Sequence, residues 1–425
     1  MVPVRSLAGR RVAILGLTGP GLAAARALRA GGAELICWDD DETRRAAAVR
    51  AGYRVEDLTT RDWSGLARLV IDDAGLLDAD PRPRLLDLAE AVGAEITPAL
   101  TLLAEAATAP HEAGLAVVTG RNAEAAAALA AHLLANAATP ARSLCDPRPG
   151  RAIRIAALAS GEAARLPESV TPEAVVLLSQ ADTRSELLDL AARSGVLISA
   201  ADLRKGARLA AGRLRGTAAL ISGRMVVGGG VHAVSGRLID ALDGVARPAG
   251  ALPAWAPFEA VAAGWALARR LGASFADCRT ALNDWTGAPG HGCEIARLGR
   301  SPIVDWSAAV SPALAVDAVT EAPCVWIAGP ALDKSAADLL DAARTPPRAI
   351  VLIGDKGRAE ARLQAYAPVT IARTLDEALG RALHAAARHG SPVVYAPGSV
   401  SGQTGSALPD ALGRLTARAL SGDAA

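Results

Sequence analysis

The chain has 425 residues, with 45 Lys and Arg against 44 Asp and Glu and a formal net charge of +1. So balanced a chain carries no strong field to attract nucleic acid or an anionic membrane, and with 3% aromatic residues it lacks the material for a base-stacking surface. Its five cysteines form no C-x-x-C pair and no run is apolar enough to span a bilayer, so reduced thiols, a cytoplasmic location and no membrane insertion are expected.

Short apolar, β-branched runs alternate with Ala/Leu-rich helical windows along the chain. Candidate strands in order are "RVAIL", "LICW", "LARLVI", "LAVVT", "AVVLL", "GVLIS", "CVWIA", "RAIVLIG" and "SPVVYAP". Strands apolar throughout and separated by helices indicate parallel sheets covered on both faces, so the fold class is α/β. Breaks near residues 108–116 and 283–294 divide the chain into expected domains at 1–110, 111–286 and 287–425, each of ordinary size. In the middle, "ISGRMVVGGGVHAVSG" reads as short strands joined by glycine turns.

The first unit opens with "RRVAILGLTGPGLAAARALRAGGAELICWDDDE": strand, glycine turn, helix, and a second strand ending in acids. Gly16, Leu17, Thr18 and Gly19 form a candidate nucleotide loop, because glycines leave room for close approach and the helix N-terminus offers free N–H groups. Asp39, about 20 residues on, stands where a ribose or base contact is expected. The spacing is G-x-x-G-x-G, so an imperfect dinucleotide fingerprint competes with a turn that only lets helix pack on strand.

The second unit opens with "VVTGRNAEAAAALAAHLL", a strand running through Thr119, Gly120 and Asn122 into a helix. A phosphate loop would continue with a small residue, Lys, and Ser or Thr. Here Ala123, Glu124 and Ala125 follow. An acid in the first helical turn is stabilised by the helix dipole, so Glu124 suits a loop that holds no phosphate. A carboxylate 4 Å from a phosphate charge costs about 4 kcal/mol per unit pair at an effective dielectric near 20. The six histidines make no H-E-x-x-H or Cys/His cluster, so no metal site is expected. The scattered tryptophans are expected in cores and domain seams.

The order of these pieces resembles the Mur ligase family over nearly the whole chain, most closely its D-glutamate-adding, MurD-like branch. "LNDWTGAPGHGCE" falls where that family's third domain begins. "VVYAPGSVSGQTGSALPDALGRLTARAL" is similar to its last strand and helix. The resemblance implies three domains: a Rossmann-like N-terminal domain for a UDP-MurNAc-type nucleotide sugar, a central P-loop-type domain for ATP and Mg²⁺, and a C-terminal Rossmann-like domain for the incoming amino acid. It also implies peptidoglycan precursor synthesis through an acyl phosphate. Such chemistry needs cations on the γ-phosphate and oxygen ligands on Mg²⁺.

Against the family pattern Thr-Gly-x-Asn-Gly-Lys-Ser/Thr, Glu124 replaces the lysine and Ala125 the magnesium-binding hydroxyl. Ala157 stands where a magnesium-associated Glu is expected, and Arg184 near the place of a histidine. Asp72-Asp73-Ala74-Gly75 stands for a Ser-Pro-Gly turn. In the third domain His291, Asp305, Asp333, Lys334 and Ser401 match family positions, whereas Ser307 replaces a lysine. The expectation is a catalytically inactive MurD-like protein, with ATP and Mg²⁺ lost as cofactors. It would act through a UDP-MurNAc-type ligand or other peptidoglycan-synthesis proteins. The rivals are an active ATP-dependent D-glutamate ligase acting on UDP-MurNAc-L-Ala with divergent motifs, and an NAD(P)- or nucleotide-binding sensor using the first loop.

Overall fold

The computed structural model describes every residue except 1, 110–113, 138–139, 149–151, 180, 182–183, 204–215, 254, 310–311, 321, 330–338, 342–344, 355–361, 399–406 and 422–425. Three sheets organise these residues, and their helices pack on the faces. The first has the order β2-β1-β3-β4, all parallel, from β1 (Arg11–Leu15), β2 (Glu34–Trp38), β3 (Leu66–Ile71) and β4 (Glu95–Pro98). Val12, Ile14, Leu69 and Val70 are fully buried, as expected of strands covered on both faces.

The second sheet has nine strands in the order β13-β12-β11-β10-β9-β8-β5-β7-β6. These are β5 (Leu115–Thr119), β6 (Ala141–Ser143), β7 (Ile153–Leu158), β8 (Ala174–Leu177), β9 (Val196–Ala200), β10 (Thr217–Ser222), β11 (Val231–Val234), β12 (Arg237–Asp240) and β13 (Arg247–Ala251). It is parallel up to β11, and the glycine-rich middle segment supplies the antiparallel edge β11–β12–β13. The Phe258–Arg270 helix packs on the Ala123–Leu133 helix and is buried along most of its length. At its far end Trp265 Nε1 and Arg269 Nε both donate to the buried Asp240 carboxylate, at 2.9 and 3.0 Å.

The third sheet runs β14-β15-β19-β16-β17-β18, from β14 (Cys293–Leu298), β15 (Ser301–Asp305), β16 (Val325–Ala328), β17 (Ala349–Ile353), β18 (Val369–Ala372) and β19 (Val393–Tyr395). Only the β14–β15 hairpin is antiparallel. Trp306 and Trp326 lie in its core, and Trp255, from the loop after β13, packs against that core from the second unit. A single apolar cluster joins Leu28 and Leu102 of the first unit to Val117, Leu177 and Leu190 of the second. No helix among the described residues is long and apolar enough to cross a membrane.

Candidate functional site

In each of the first two sheets a glycine loop leaves the carboxyl end of a strand whose neighbours lie on opposite sides: β1 between β2 and β3, and β5 between β7 and β8. The crevice at such a reversal of strand order is where open α/β sheets take ligands.

At the first crevice, Gly16 has φ +93° and a Cβ there would lie 2.1 Å from Asp72 Oδ1. A Cβ on Gly21 would lie 2.1 Å from the Gly16 carbonyl oxygen, whereas Gly19 faces open space. Two of these glycines are therefore required by the chain's own packing. The loop's N–H groups are also taken: Leu17 donates to Asp39 Oδ2 at 2.7 Å and Thr18 to Asp72 Oδ2 at 2.9 Å. Asp39 is buried, and its Oδ1 also accepts from the Asp41 N–H at 2.8 Å. The Arg44 guanidinium lies 3.5 Å from Asp39 Oδ2. Asp39 thus faces the loop rather than an open ribose position.

At the second crevice, Thr119 ends β5 fully buried, and its hydroxyl lies 3.1 Å from that of Ser160. Gly120 has φ +105°, and a Cβ there would lie 2.7 Å from the Leu178 carbonyl oxygen. Asn122 is left-handed at φ 59° and precedes the Ala123–Leu133 helix without a side-chain cap bond. Ala123 and Ala125 are buried, while Glu124 is exposed in the first turn. The Arg121 N–H donates to the Ser179 carbonyl at 2.9 Å, and its guanidinium reaches Asp317 Oδ1 at 3.0 Å, on the Pro312–Val319 helix of the third unit.

A cavity of about 120 Å³ opens beside this loop, lined by Arg121, Asn122, Ser179, Asp202, Arg224 and Glu259. The Ser179 hydroxyl lies 2.7 Å from Asp202 Oδ2 and 2.6 Å from Glu259 Oε2, with one proton to donate between two carboxylates. Glu259 Oε1 also accepts the Ser179 N–H at 2.8 Å. The cavity thus sets two acids, Asp202 and Glu259, beside two arginines, Arg121 and Arg224.

A second cavity, of about 260 Å³, lies behind the loop and is lined by residues including Ala125, Leu252, Pro253, Trp285 and His291. Burial holds the His291 imidazole below its usual range, opposed by the charges of Glu124 and Asp305. The buried Asp305 carboxylate shapes that corner, accepting from the Gly290 N–H at 3.2 Å and the Ser307 N–H at 2.9 Å. His291, Asp305 and the Thr119–Glu124 loop thus meet at one seam. The Gly16–Asp39 loop forms a separate crevice. Asp333, Lys334 and Ser401 lie outside the described residues.

Sequence reasoning missed Arg121, Ser179, Asp202, Glu259 and Asp317. They come from five separate segments, and no spacing announces them. Ala157 lies in β7, paired with Val118 of β5, and presents no oxygen to the crevice. Among the described residues, no group of three or more His, Cys, Asp or Glu could hold a metal ion.

No protein-family model matches the chain. It is 30% identical to UDP-N-acetylmuramoylalanine–D-glutamate ligase of Rhizobium etli over 443 aligned positions, covering 94% of this chain and 93% of that protein. The enzyme of the same name from Caulobacter vibrioides is 30% identical over 372 positions, covering 77% of this chain and 78% of that one. Among solved structures, UDP-N-acetylmuramate-alanine ligase of Thermotoga maritima superposes with a TM-score of 0.62 at 12% identity, covering 97% of this chain and 99% of that one. The sheet order, the loop positions and this likeness together place the chain in the Mur ligase family, as a MurD-like member.

Proposed function

We propose that this protein works in peptidoglycan precursor synthesis by binding rather than by ATP-driven ligation. The observation that carries the reading is the charge at the second crevice. Glu124 occupies the first helical turn, Asp202 and Glu259 flank the loop, and Arg121 is already paired with Asp317. Stabilising charge that develops on transferred phosphate needs positioned cations, and of the two arginines lining this cavity Arg121 is committed to Asp317.

A UDP-MurNAc-type nucleotide sugar is the proposed ligand, with its uridine at the Gly16–Gly19 loop. Asp39 and Asp72 would repel a pyrophosphate laid directly on that loop, so the ligand's pyrophosphate would lie beyond it and its base against it. A base edge carries no such charge. The proposed domain bounds are 1–110, 111–286 and 287–425. They leave the first sheet, the nine-stranded sheet and the last sheet each within one domain.

Calorimetry with two titrants tests the reading. UDP-MurNAc-L-Ala should bind, and Mg-ATP should give no measurable heat in the millimolar range. A Mg-ATP dissociation constant below about 100 μM, near −5.5 kcal/mol, would overturn it.

A further inference from the structure

The seam between the second and third units is held by groups of the chain itself. Arg121 sits in the turn between β5 and the Ala123–Leu133 helix, its backbone fixed by the Ser179 carbonyl. Its guanidinium crosses to Asp317 Oδ1 at 3.0 Å, with the two side chains 14% and 30% exposed. Trp255 reaches across the same seam into the core of the third sheet. Burial raises the Asp317 carboxyl above its usual range, while the charges of Arg121 and Arg224 pull it down. Desolvation that outweighs attraction marks a carboxylate tolerable in the seam only while its arginine stays in place.

We propose that Arg121 and Asp317 form an intramolecular latch that keeps the third unit closed on the second without any nucleotide. In this arrangement the Asp317 carboxylate takes the anion-binding capacity of the loop arginine. The latch does not depend on the ligand assigned above.

Hydrogen exchange along the full chain tests it. Arg121→Met leaves Asp317 partly buried and unpaired. Exchange over residues 312–319 should then accelerate by at least roughly tenfold, with little change in β3 of the first sheet. Adding Asp317→Asn removes the stranded charge but does not replace the lost pair, so exchange over residues 312–319 should stay faster than wild type in the double variant. Unchanged exchange in Arg121→Met would overturn the latch. So would a return to the wild-type rate in the double variant, which would trace the loosening to the stranded charge alone. If Arg121→Met loosens the whole chain, β3 included, the double variant decides: faster exchange confined to residues 312–319 supports the latch, and any other pattern refutes it.

Discussion

Replacing Ala123→Gly, Glu124→Lys and Ala125→Ser together restores the phosphate-loop pattern and shows how far the loop alone decides nucleotide binding. Glu124 is exposed, so its field acts mostly through water. A unit pair 4 Å apart is then worth about 1 kcal/mol rather than the ~4 kcal/mol of a half-buried pair. Converting −1 to +1 changes two such pairs. The gain is about 2 kcal/mol per phosphate charge, or roughly thirtyfold in affinity. Ala125 is buried and lines the larger cavity, so Ala125→Ser adds an oxygen ligand without moving the helix. Asp202 and Glu259 remain beside the loop and hold the gain near this figure. Mg-ATP should therefore become measurable by calorimetry in the high-micromolar to millimolar range. ADP release dependent on UDP-MurNAc-L-Ala and D-glutamate should stay absent, because groups that act as a unit recover little rate when one is repaired. Substrate-dependent turnover by the triple variant would refute this reasoning. So would an affinity unchanged from wild type, which would show that loop charge is not what excludes the nucleotide.

Three perturbations follow from single sites. Burial, helped by the charge of Asp73 and opposed by Arg165, pushes the Glu162 carboxyl up to about 7, so its ionised form costs stability above that pH. Glu162→Gln should stabilise the protein at pH 8 by up to about 3 kcal/mol and lose that advantage below pH 4.5, by urea unfolding; an equal effect at both would contradict it. His291 is held below its usual range by burial, so folding should weaken as pH falls from about 7 to 5, where the unfolded chain takes the proton first. His291→Gln should flatten that slope, and an unchanged slope would exclude His291 as its source. Gly120→Ala should lower stability by at least ~2 kcal/mol in thermal melts, since Cβ would meet the Leu178 carbonyl at positive φ; a neutral result would exclude the close approach.

The sequence was most legible where burial is complete. Apolar runs such as "RVAIL", "LAVVT" and "CVWIA" coincide with β1, β5 and β16 to within a residue. β7 was obscured because Arg154 lies buried within it, interrupting the apolar signal. β4 ends in Thr97-Pro98, and β13 reads "RPAGA" at the sheet edge, so neither has a strand composition. Both glycine loops could be read because turn geometry constrains their residues locally. The inward aim of Asp39, and Asp72 beneath Gly16, could not, because the same residues would serve a ligand equally well. Arg121 and Asp317 were hidden for a plainer reason: their pairing depends on how two sheets meet, and nothing local records it.

We infer that the Mur ligase fold persists here without ATP-driven ligation. Wild-type protein incubated with UDP-MurNAc-L-Ala, D-glutamate and Mg-ATP, with ADP followed by chromatography, decides the matter. No ADP above an enzyme-free control is expected at any substrate concentration. ADP release that requires both the nucleotide sugar and D-glutamate would show that the acids around the second crevice do not disarm it.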